Sequence, residues 1–245
     1  MSAQGSGECR APFGSPAPSR RQCVVWHTYR MDTTIVHVMR HGEVDNPHGV
    51  LYGRLPGFGL TGCGQAMAER VARTLVGRGA DITHVVASPL LRAQMTAAPT
   101  AAAYGLPVES DPRLIESANV FEGLPLGSNP AVLARPAYFK YFVNPLRPSW
   151  GEPYADIASR MSAALSAALR SARGHEALVV SHQNPIETLT RFVRGKTLAH
   201  PPKSRNFALA SLTSFVFSGA TLVGVCYEEP AADLVAQAKD LSYRR

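Results

Sequence analysis

Apolar and polar residues are arranged along this chain in a way that predicts strands and helices in succession. Short runs of β-branched and other apolar residues at 33–38, 83–87 and 177–180 predict three buried strands, because each run is too short for a helix to be favoured. Two more runs, at 209–217 and 221–227, flank a glycine and predict a hairpin that completes the sheet. Strands that are separated by helical segments indicate an α/β fold.

Helical spacing of apolar residues lies between these strands. Residues 61–78 carry an apolar face and are followed by Gly79, and residues 154–173 place apolar side chains at every fourth position. A further helix is expected to start with a capping box at Asn184 and to run to about Arg194. These segments are the helical partners that the predicted strands need.

The second strand leads into Ser88-Pro89, a pair that is typical of a helix start. Serine can accept hydrogen bonds from the free amides, and proline suits the first helical position. The sequence therefore predicts a helix from Ser88 that places Arg92 in its first turns and is kinked or interrupted at Pro99. By its position alone, Arg92 would be a solvated helix arginine, and that alternative stays open here.

Two long segments follow neither pattern. Residues 1–30 are rich in Gly, Ser, Pro and Ala and predict a disordered tail, so one folded domain is expected over residues 31–245, with Met31 as the physiological start. Residues 117–153 are interrupted by repeated prolines. A segment this long without regular structure indicates a lid over a binding pocket, with one short helix near 134–142.

Length and composition limit the classes of protein that this chain can be. The 245 residues suffice for one α/β domain, and no run of about 18 apolar residues is present, so no membrane span is expected. The four cysteines form no C-x-x-C pair, which predicts neither a zinc cluster nor a disulfide framework and makes a reducing, cytoplasmic location the default. The net charge of +7 favours anionic partners, but no basic stripe predicts nucleic-acid binding.

Arginine and histidine side chains follow the three predicted strands. Arg40 and His41 come directly after the first strand, Arg92 comes shortly after the second, and His182 follows the third. Because ligands bind at the carboxyl ends of strands in open α/β sheets, these side chains are expected to converge on one site. Each residue alone is better explained as a loop, surface or core residue, and only their joint placement indicates chemistry.

Three motifs in this order resemble a known family. They are RHGE at 40–43, SPLLRAQMTA at 88–97 and SHQN at 181–184, and Glu116 lies between the second and the third. They resemble the signature of the histidine phosphatase superfamily, the phosphoglycerate mutase-like proteins, over most of the chain. The resemblance implies a three-layer α/β/α sandwich around a mostly parallel sheet.

The resemblance also implies a function and roles for these residues. The protein would be a phosphatase that hydrolyses phosphomonoesters through a phosphohistidine on His41, with Glu116 as the acid that protonates the leaving alkoxide. Arg40, Arg92 and His182 would bind the phosphate oxygens, which suit the planar fork of arginine. Such an acid needs a raised pKa, which predicts an acidic to neutral rate optimum. No metal and no other cofactor is expected.

Some residues depart from the family's pattern. Val44 stands where many relatives have serine, and Asn46 lies one position earlier than the asparagine that helps to bind phosphate. Asn46 and the loop residue Arg54 are therefore candidate substrate-binding residues, and Glu122 is an alternative acid. The uncharged segment 117–120 lacks the adjacent basic pair that phosphoglycerate mutases carry after their acid, which favours a phosphatase.

Several alternatives stay open on the sequence. The chain could be a bisphosphoglycerate-dependent phosphoglycerate mutase, or a phosphate-ligand binding protein with little turnover. The ligand would be a small phosphorylated metabolite or another phosphomonoester, and a homodimer is the base-rate expectation for the assembly. The basic lid residues Arg135, Lys140 and Arg147 could contact a second anionic group of the substrate or be solvated, with solvation favoured.

Overall fold

The computed structural model describes residues 33–142, 150–200 and 207–238, and the backbone of residues 21–25. Seven strands form one sheet: β1 (Arg21–Val25), β2 (Thr33–Arg40), β3 (Ile82–Ala87), β4 (Glu109–Ser110), β5 (Glu176–Ser181), β6 (Leu212–Ser218) and β7 (Thr221–Glu228). Their order across the sheet is β1-β7-β6-β2-β5-β3-β4. The pairs β2–β5, β5–β3 and β3–β4 are parallel, whereas the pairs β1–β7, β7–β6 and β6–β2 are antiparallel. The α/β class is confirmed, and the sheet is mixed because the terminal hairpin and β1 extend it with antiparallel strands.

Helices cover both faces of the sheet. They are α1 (Gly62–Gly77), α2 (Leu91–Tyr104), α3 (Tyr154–Ser171), α4 (Gln183–Val193) and α5 (Ala232–Val235). In β5, Leu178 and Val180 pack with α1, α2 and α5, while Ala177 and Val179 pack with α3 and α4. Because successive strand residues point to opposite faces, an apolar run buries both faces at once. The predicted three-layer arrangement is confirmed.

Two predicted helix starts were wrong, for one shared reason. Helix α2 begins at Leu91, after the N-cap residue Leu90, and not at Ser88. Helix α4 begins at Gln183, and Asn184 donates its side-chain amide to Ser117 Oγ instead of capping the helix. The Ser88 hydroxyl likewise contacts a distant residue, because its Oγ lies 2.8 Å from His182 Nε2. In both cases the polar side chain that the local sequence predicted as a helix cap bonds to a residue far away in the chain. Pro99 lies inside α2 without ending the helix.

Part of the predicted N-terminal disorder was also wrong. Residues 21–25 form the edge strand β1, which pairs antiparallel with β7. This register places the Cα of Cys23 opposite that of Cys226, and Cys226 is disulfide-bonded, contrary to the prediction of no disulfide. The strand's partner is about two hundred residues away in sequence, so no local pattern indicated it. The rest of the tail, including Met31, lies outside the described residues.

The segment 117–153 packs by its aromatic side chains. Its described part, residues 117–142 and 150–153, has a 3-10 helix at Pro136–Phe142, where the sequence predicted a short helix, and a second one at Pro130–Ala134 that was not predicted. The ring of Phe121 contacts Tyr138 and Tyr141 edge to face, at centroid distances of 5.5 and 5.6 Å. Tyr138 and Tyr141 therefore serve packing, whereas Phe139 of the same aromatic cluster is exposed. Across the residues that the structure describes, every helix is too short or too polar to span a membrane.

Gly42 and Gly64 let the loop after β2 pack closely against the start of α1, because a Cβ on either one would meet backbone of the other segment. A Cβ at Gly64 would collide with the carbonyl oxygen of Glu43, whereas a Cβ at Gly62 would have nothing within 4 Å. We expect Gly64→Ala to lower the free energy of unfolding by about 1–3 kcal/mol, because neither backbone can yield without strain. Gly62→Ala is the matched control and should leave stability unchanged or slightly raised. Equal urea-denaturation midpoints for the two variants would contradict this close packing.

Candidate active site

The first candidate residue, His41, lies at the carboxyl end of β2 in the middle of the sheet. Its backbone amide donates to the carbonyl of Ser181, and its carbonyl accepts from the amide of Ala210. The ring is buried, and its Nδ1 lies 2.8 Å from the carbonyl oxygen of Gly42. Since a carbonyl only accepts, Nδ1 carries the proton and Nε2 keeps a free lone pair.

The electrostatic surroundings keep the imidazole of His41 neutral. Burial is the main cause that lowers its pKa well below 6.5, and the guanidinium groups of Arg92 and Arg40 lower the pKa further. A neutral ring with a free Nε2 is a competent nucleophile at neutral pH.

The second candidate histidine, His182, contacts the first. It follows β5 as the N-cap residue of α4, and its ring centroid lies 5.2 Å from that of His41. Ser88 Oγ lies 2.8 Å from its Nε2. If the hydroxyl donates to Nε2, the ring proton is on Nδ1 and available to an acceptor. Burial and the charge of Arg92 lower the pKa of His182 well below its usual value.

Both candidate arginines are buried beside the histidines. Arg40 donates from NH1 to the carbonyl of Phe207 at 2.8 Å, and Arg92 donates from NH2 to the carbonyl of Gly53 at 2.6 Å. The Arg92 guanidinium also lies over the ring of Tyr52, 4.7 Å from its centroid. The alternative that Arg92 is a solvated helix residue is wrong, because the side chain has no exposed surface.

Three nitrogens of these side chains are buried with no hydrogen-bond partner among the described residues. They are the Nε atoms of Arg40 and Arg92 and the Nδ1 atom of His182. Leaving a buried donor unpaired costs roughly 1–3 kcal/mol, and more when the group is charged. Phosphate oxygens accept from such donors, so the three nitrogens indicate an anion-binding site.

The candidate acid, Glu116, lines the same cavity as His41 and Arg40. Burial raises the pKa of its carboxyl group, while a 2.8 Å hydrogen bond from the amide of Ser117 and the charge of Arg92 act in the opposite direction. The alternative acid, Glu122, does not line this cavity. Its Oε1 atom lies 3.3 Å from the amide nitrogen of Asn119.

The cavity has a volume of about 270 Å³. Its other lining residues are Val50, Leu51, Tyr52, Gly53, Ser117, Asn119, Trp150, Tyr154, Gln183, Asn184, Glu187 and His200. Arg92 and His182 do not line it. They are fully buried and contact its wall through Gly53, Tyr52 and His41.

Two predicted substrate-binding residues lie away from the cavity. The side chain of Asn46 binds the backbone of Val50, accepting from its amide at 3.0 Å and donating to its carbonyl at 2.8 Å. Arg54 donates from Nε to the carbonyl of Glu116 at 2.6 Å and from NH2 to Glu152 at 2.8 Å. Asn46 therefore closes its own loop, and Arg54 holds the backbone of the candidate acid.

A network of charged side chains around Glu116 has no signal in the sequence. Arg160 donates to both carboxylate oxygens of Glu152, at 2.8 and 3.0 Å, and its NH1 donates to the carbonyl of Ile115 at 2.6 Å. Together, Arg54, Glu152 and Arg160 hold the carbonyls on both sides of the Glu116 Cα. Nothing in the local sequence distinguishes Arg160 from a solvated helix arginine. Asn184, which lines the cavity, does have a signal in the sequence, because it lies two residues after His182.

Comparisons with known proteins agree with this geometry. The model of the histidine phosphatase superfamily (branch 1) matches residues 36–229. An uncharacterized protein of Mycobacterium tuberculosis strain H37Rv, Rv0525, is 53% identical over 201 residues, which are 82% of this chain and 98% of that protein. A probable phosphoglycerate mutase, GpmB, of Yersinia enterocolitica is 36% identical over 152 residues, 60% of this chain and 68% of that protein. The structure of mycobacterial glucosyl-3-phosphoglycerate phosphatase Rv2419c with inorganic phosphate has a TM-score of 0.59 at 25% identity, over 78% of this chain and 93% of that one.

Proposed function

Since this chain belongs to the histidine phosphatase superfamily, we propose that it is a phosphatase that hydrolyses small phosphomonoesters through a phosphohistidine on His41. The observation that carries the proposal is the contact between two buried imidazole rings, with centroids 5.2 Å apart, beside Arg40 and Arg92. The solved structure of the mycobacterial glucosyl-3-phosphoglycerate phosphatase Rv2419c with inorganic phosphate supports it, because that similar protein is a phosphatase.

In the first step, the Nε2 lone pair of His41 attacks phosphorus and the bond from phosphorus to the ester oxygen breaks. The hydrogen bond from Nδ1 to the carbonyl of Gly42 holds the ring in the tautomer that this attack requires. Arg40, which lines the cavity, would donate to the equatorial oxygens, where negative charge is spread in the transition state. Arg92 lies behind the wall, so its positive charge would stabilise these oxygens without a direct hydrogen bond, and His182 would act on the same side through its contact with His41.

The leaving oxygen takes a proton from Glu116 as the ester bond breaks. Burial favours the protonated form of this carboxyl group, which is the form that can donate. In the second step, water attacks the phosphohistidine and gives its proton to the Glu116 carboxylate. Inorganic phosphate then leaves, and both His41 and Glu116 return to their starting protonation states.

A phosphoglycerate mutase is the second candidate, favoured by the 36% identity to the probable mutase GpmB. A mutase would transfer the phosphoryl group from His41 to a second hydroxyl of the substrate instead of to water. The uncharged residues 117–120, directly after Glu116, favour the phosphatase, because they offer no cation to a phosphoglycerate carboxylate at this position.

Phosphate release decides between these functions. The purified protein is incubated with p-nitrophenyl phosphate, sugar phosphates, nucleotides and 3-phosphoglycerate, with and without 2,3-bisphosphoglycerate as a primer. We expect inorganic phosphate to be released without a primer. Isomerisation of phosphoglycerate that requires the primer would favour the mutase, and phosphate binding without release from any ester would favour a binding protein. A cytoplasmic location and a homodimer stay predictions.

A further inference from the structure

The carboxyl group of Glu116 is held at one of its two oxygens. Its Oε1 accepts from the backbone amide of Ser117 at 2.8 Å and from the Ser117 hydroxyl at 3.2 Å. Among the residues that the structure describes, Oε2 has no hydrogen-bond partner. A carboxyl oxygen has two lone pairs, so two donors saturate Oε1 and the acid proton is carried by Oε2.

The Ser117 hydroxyl is itself oriented by a residue that is distant in sequence. Asn184 donates from Nδ2 to Ser117 Oγ at 2.8 Å. A hydroxyl that accepts on one side can donate on another, and here its donation goes to Glu116. The other end of the Asn184 amide is also fixed, because its Oδ1 lies 3.1 Å from Nε2 of His200. We call Ser117 and Asn184 the carboxyl clamp.

The carboxyl clamp connects the acid to the element that carries the second histidine. Asn184 lies in the first turn of α4, whose N-cap residue is His182. The ring of His182 contacts that of His41, with centroids 5.2 Å apart. The start of α4 therefore links the placement of the nucleophile to that of the acid.

Backbone contacts alone do not orient this carboxyl group. Arg160 and Arg54 hold the carbonyls of Ile115 and Glu116, at 2.6 Å in each case. These bonds fix the backbone, but the torsions of a glutamate side chain stay free to rotate unless its end is bound. The carboxyl clamp is the contact that binds this end.

Resting on the proposed role of Glu116 as the acid, we propose that Ser117 and Asn184 are positioning residues for proton transfer. They hold Oε1, and this leaves Oε2 and its proton directed at the leaving oxygen. As the bond from phosphorus to that oxygen breaks, the proton moves to the oxygen and the electrons of the O–H bond stay on the Glu116 carboxylate. The carboxyl clamp acts only through Glu116.

The clamp has a second effect, on the pKa of Glu116. Burial raises this pKa, and the Ser117 amide, the charge of Arg92, the Ser117 hydroxyl and the charge of Arg40 act against it. A hydroxyl that donates to the ionised carboxylate favours ionisation. Its removal therefore raises the pKa further, and the carboxyl group keeps its proton to a higher pH.

The other charged and titratable groups near the acid are unchanged when this hydroxyl is removed. The lid cations Arg135 and Lys140 are exposed and do not line the cavity, in agreement with the solvation that the sequence favoured. Arg147 lies outside the described residues. A shift of the pH profile in a Ser117 variant therefore reports the lost hydroxyl. Besides Arg40, the titratable residues that share the cavity with Glu116 are His41, Tyr52, Tyr154, Glu187 and His200.

The test removes the hydroxyl and keeps the backbone amide. In Ser117→Ala we expect kcat for a sugar phosphate to fall by about 10-fold with KM unchanged, because a misdirected acid slows proton transfer but not binding. With p-nitrophenyl phosphate, whose leaving group departs without a proton, kcat should fall by less than about 2-fold. The alkaline limb of the pH profile for the sugar phosphate should move to higher pH. Ser117→Thr keeps a hydroxyl and should restore kcat to within about 2-fold of the wild type.

Ser128→Ala is the matched control. Ser128 lies in the same segment of the chain, and its hydroxyl donates to the carbonyl of His48 at 3.1 Å, outside the cavity. This variant should match the wild type with both esters and at every pH.

Asn184 is tested by a double-variant comparison. Asn184→Ala should show the same selective loss with the sugar phosphate. The double variant with Ser117→Ala should lose no more than Ser117→Ala alone, because Asn184 acts through Ser117. Losses that multiply would overturn the role of Asn184 as a positioning residue.

Equal losses with both esters in Ser117→Ala, or an alkaline limb that stays in place, would overturn the carboxyl clamp. The clamp and the proposed function fail in different ways. If the wild-type protein hydrolyses no ester, the phosphatase is contradicted together with the clamp. If it hydrolyses both esters and Glu116→Gln shows no selective loss with the sugar phosphate, the choice of acid is wrong. If Glu116→Gln shows that loss and Ser117→Ala does not, only the clamp is wrong.

Discussion

Replacing His41 by asparagine is expected to lower kcat for phosphate release by on the order of 10⁴-fold or more, because the variant has no ring nitrogen to form the covalent intermediate. The wild-type protein, quenched during turnover of a ³²P-labelled ester, should carry phosphate that is labile to acid and stable to base. His41→Asn should carry none. The measurements are steady-state phosphate release and label retained on the protein after denaturation.

The matched control is His175→Asn. His175 is half exposed, with 51% of its side-chain surface accessible, and it binds Asp81 outside the cavity. Its replacement should leave both turnover and labelling unchanged. Label that persists in His41→Asn would assign the nucleophile to another residue, and turnover without any acid-labile label in the wild-type protein would point to direct attack by water.

Replacing Glu116 by glutamine is expected to lower kcat/KM for sugar phosphates by about 10²–10⁴-fold, the usual contribution of a general acid. The loss should be less than about 10-fold with p-nitrophenyl phosphate, because its leaving group departs without a proton. Glutamine has the same shape as glutamate and can still accept the hydrogen bond from the Ser117 amide. The ratio of the two losses therefore reports proton donation and not a change in fold.

The pH profile gives a second measure of the same role. Burial lowers the pKa of His41 well below 6.5, so the nucleophile is lost to protonation only on the acidic side. Burial raises the pKa of Glu116 above its usual 4.5, so the acid is lost as the pH rises through this raised value. We expect a bell-shaped profile for the wild-type protein, and loss of its alkaline limb in Glu116→Gln.

Glu122→Gln serves as the matched control for the acid. Glu122 is the other acid that the sequence offers, but it lies outside the cavity and contacts the amide of Asn119. Its replacement should leave the dependence on the leaving group unchanged. If Glu122→Gln showed the selective loss and Glu116→Gln did not, the roles of the two carboxyl groups would be exchanged.

The sequence by itself determined the α/β class and the two histidines of the candidate site. The apolar runs that predicted three strands correspond to β2, β3 and β5, and Arg40, His41 and His182 lie where those strands end. This success has a physical reason. Strand alternation and the position of a residue just after a strand are local properties, and parallel neighbouring strands bring their carboxyl ends to the same edge of a sheet.

Only the tertiary structure decided which polar groups act as partners. Ser88 was expected to cap a helix but contacts His182, and Arg54 was expected to bind substrate but holds the backbone of Glu116. Arg160 showed no local signal at all, although its guanidinium joins Glu152 to the segment before the acid. A side chain's local pattern shows which hydrogen bonds it can make. Packing of distant segments determines which of those bonds forms, because a buried polar group takes the partner that the fold brings to it.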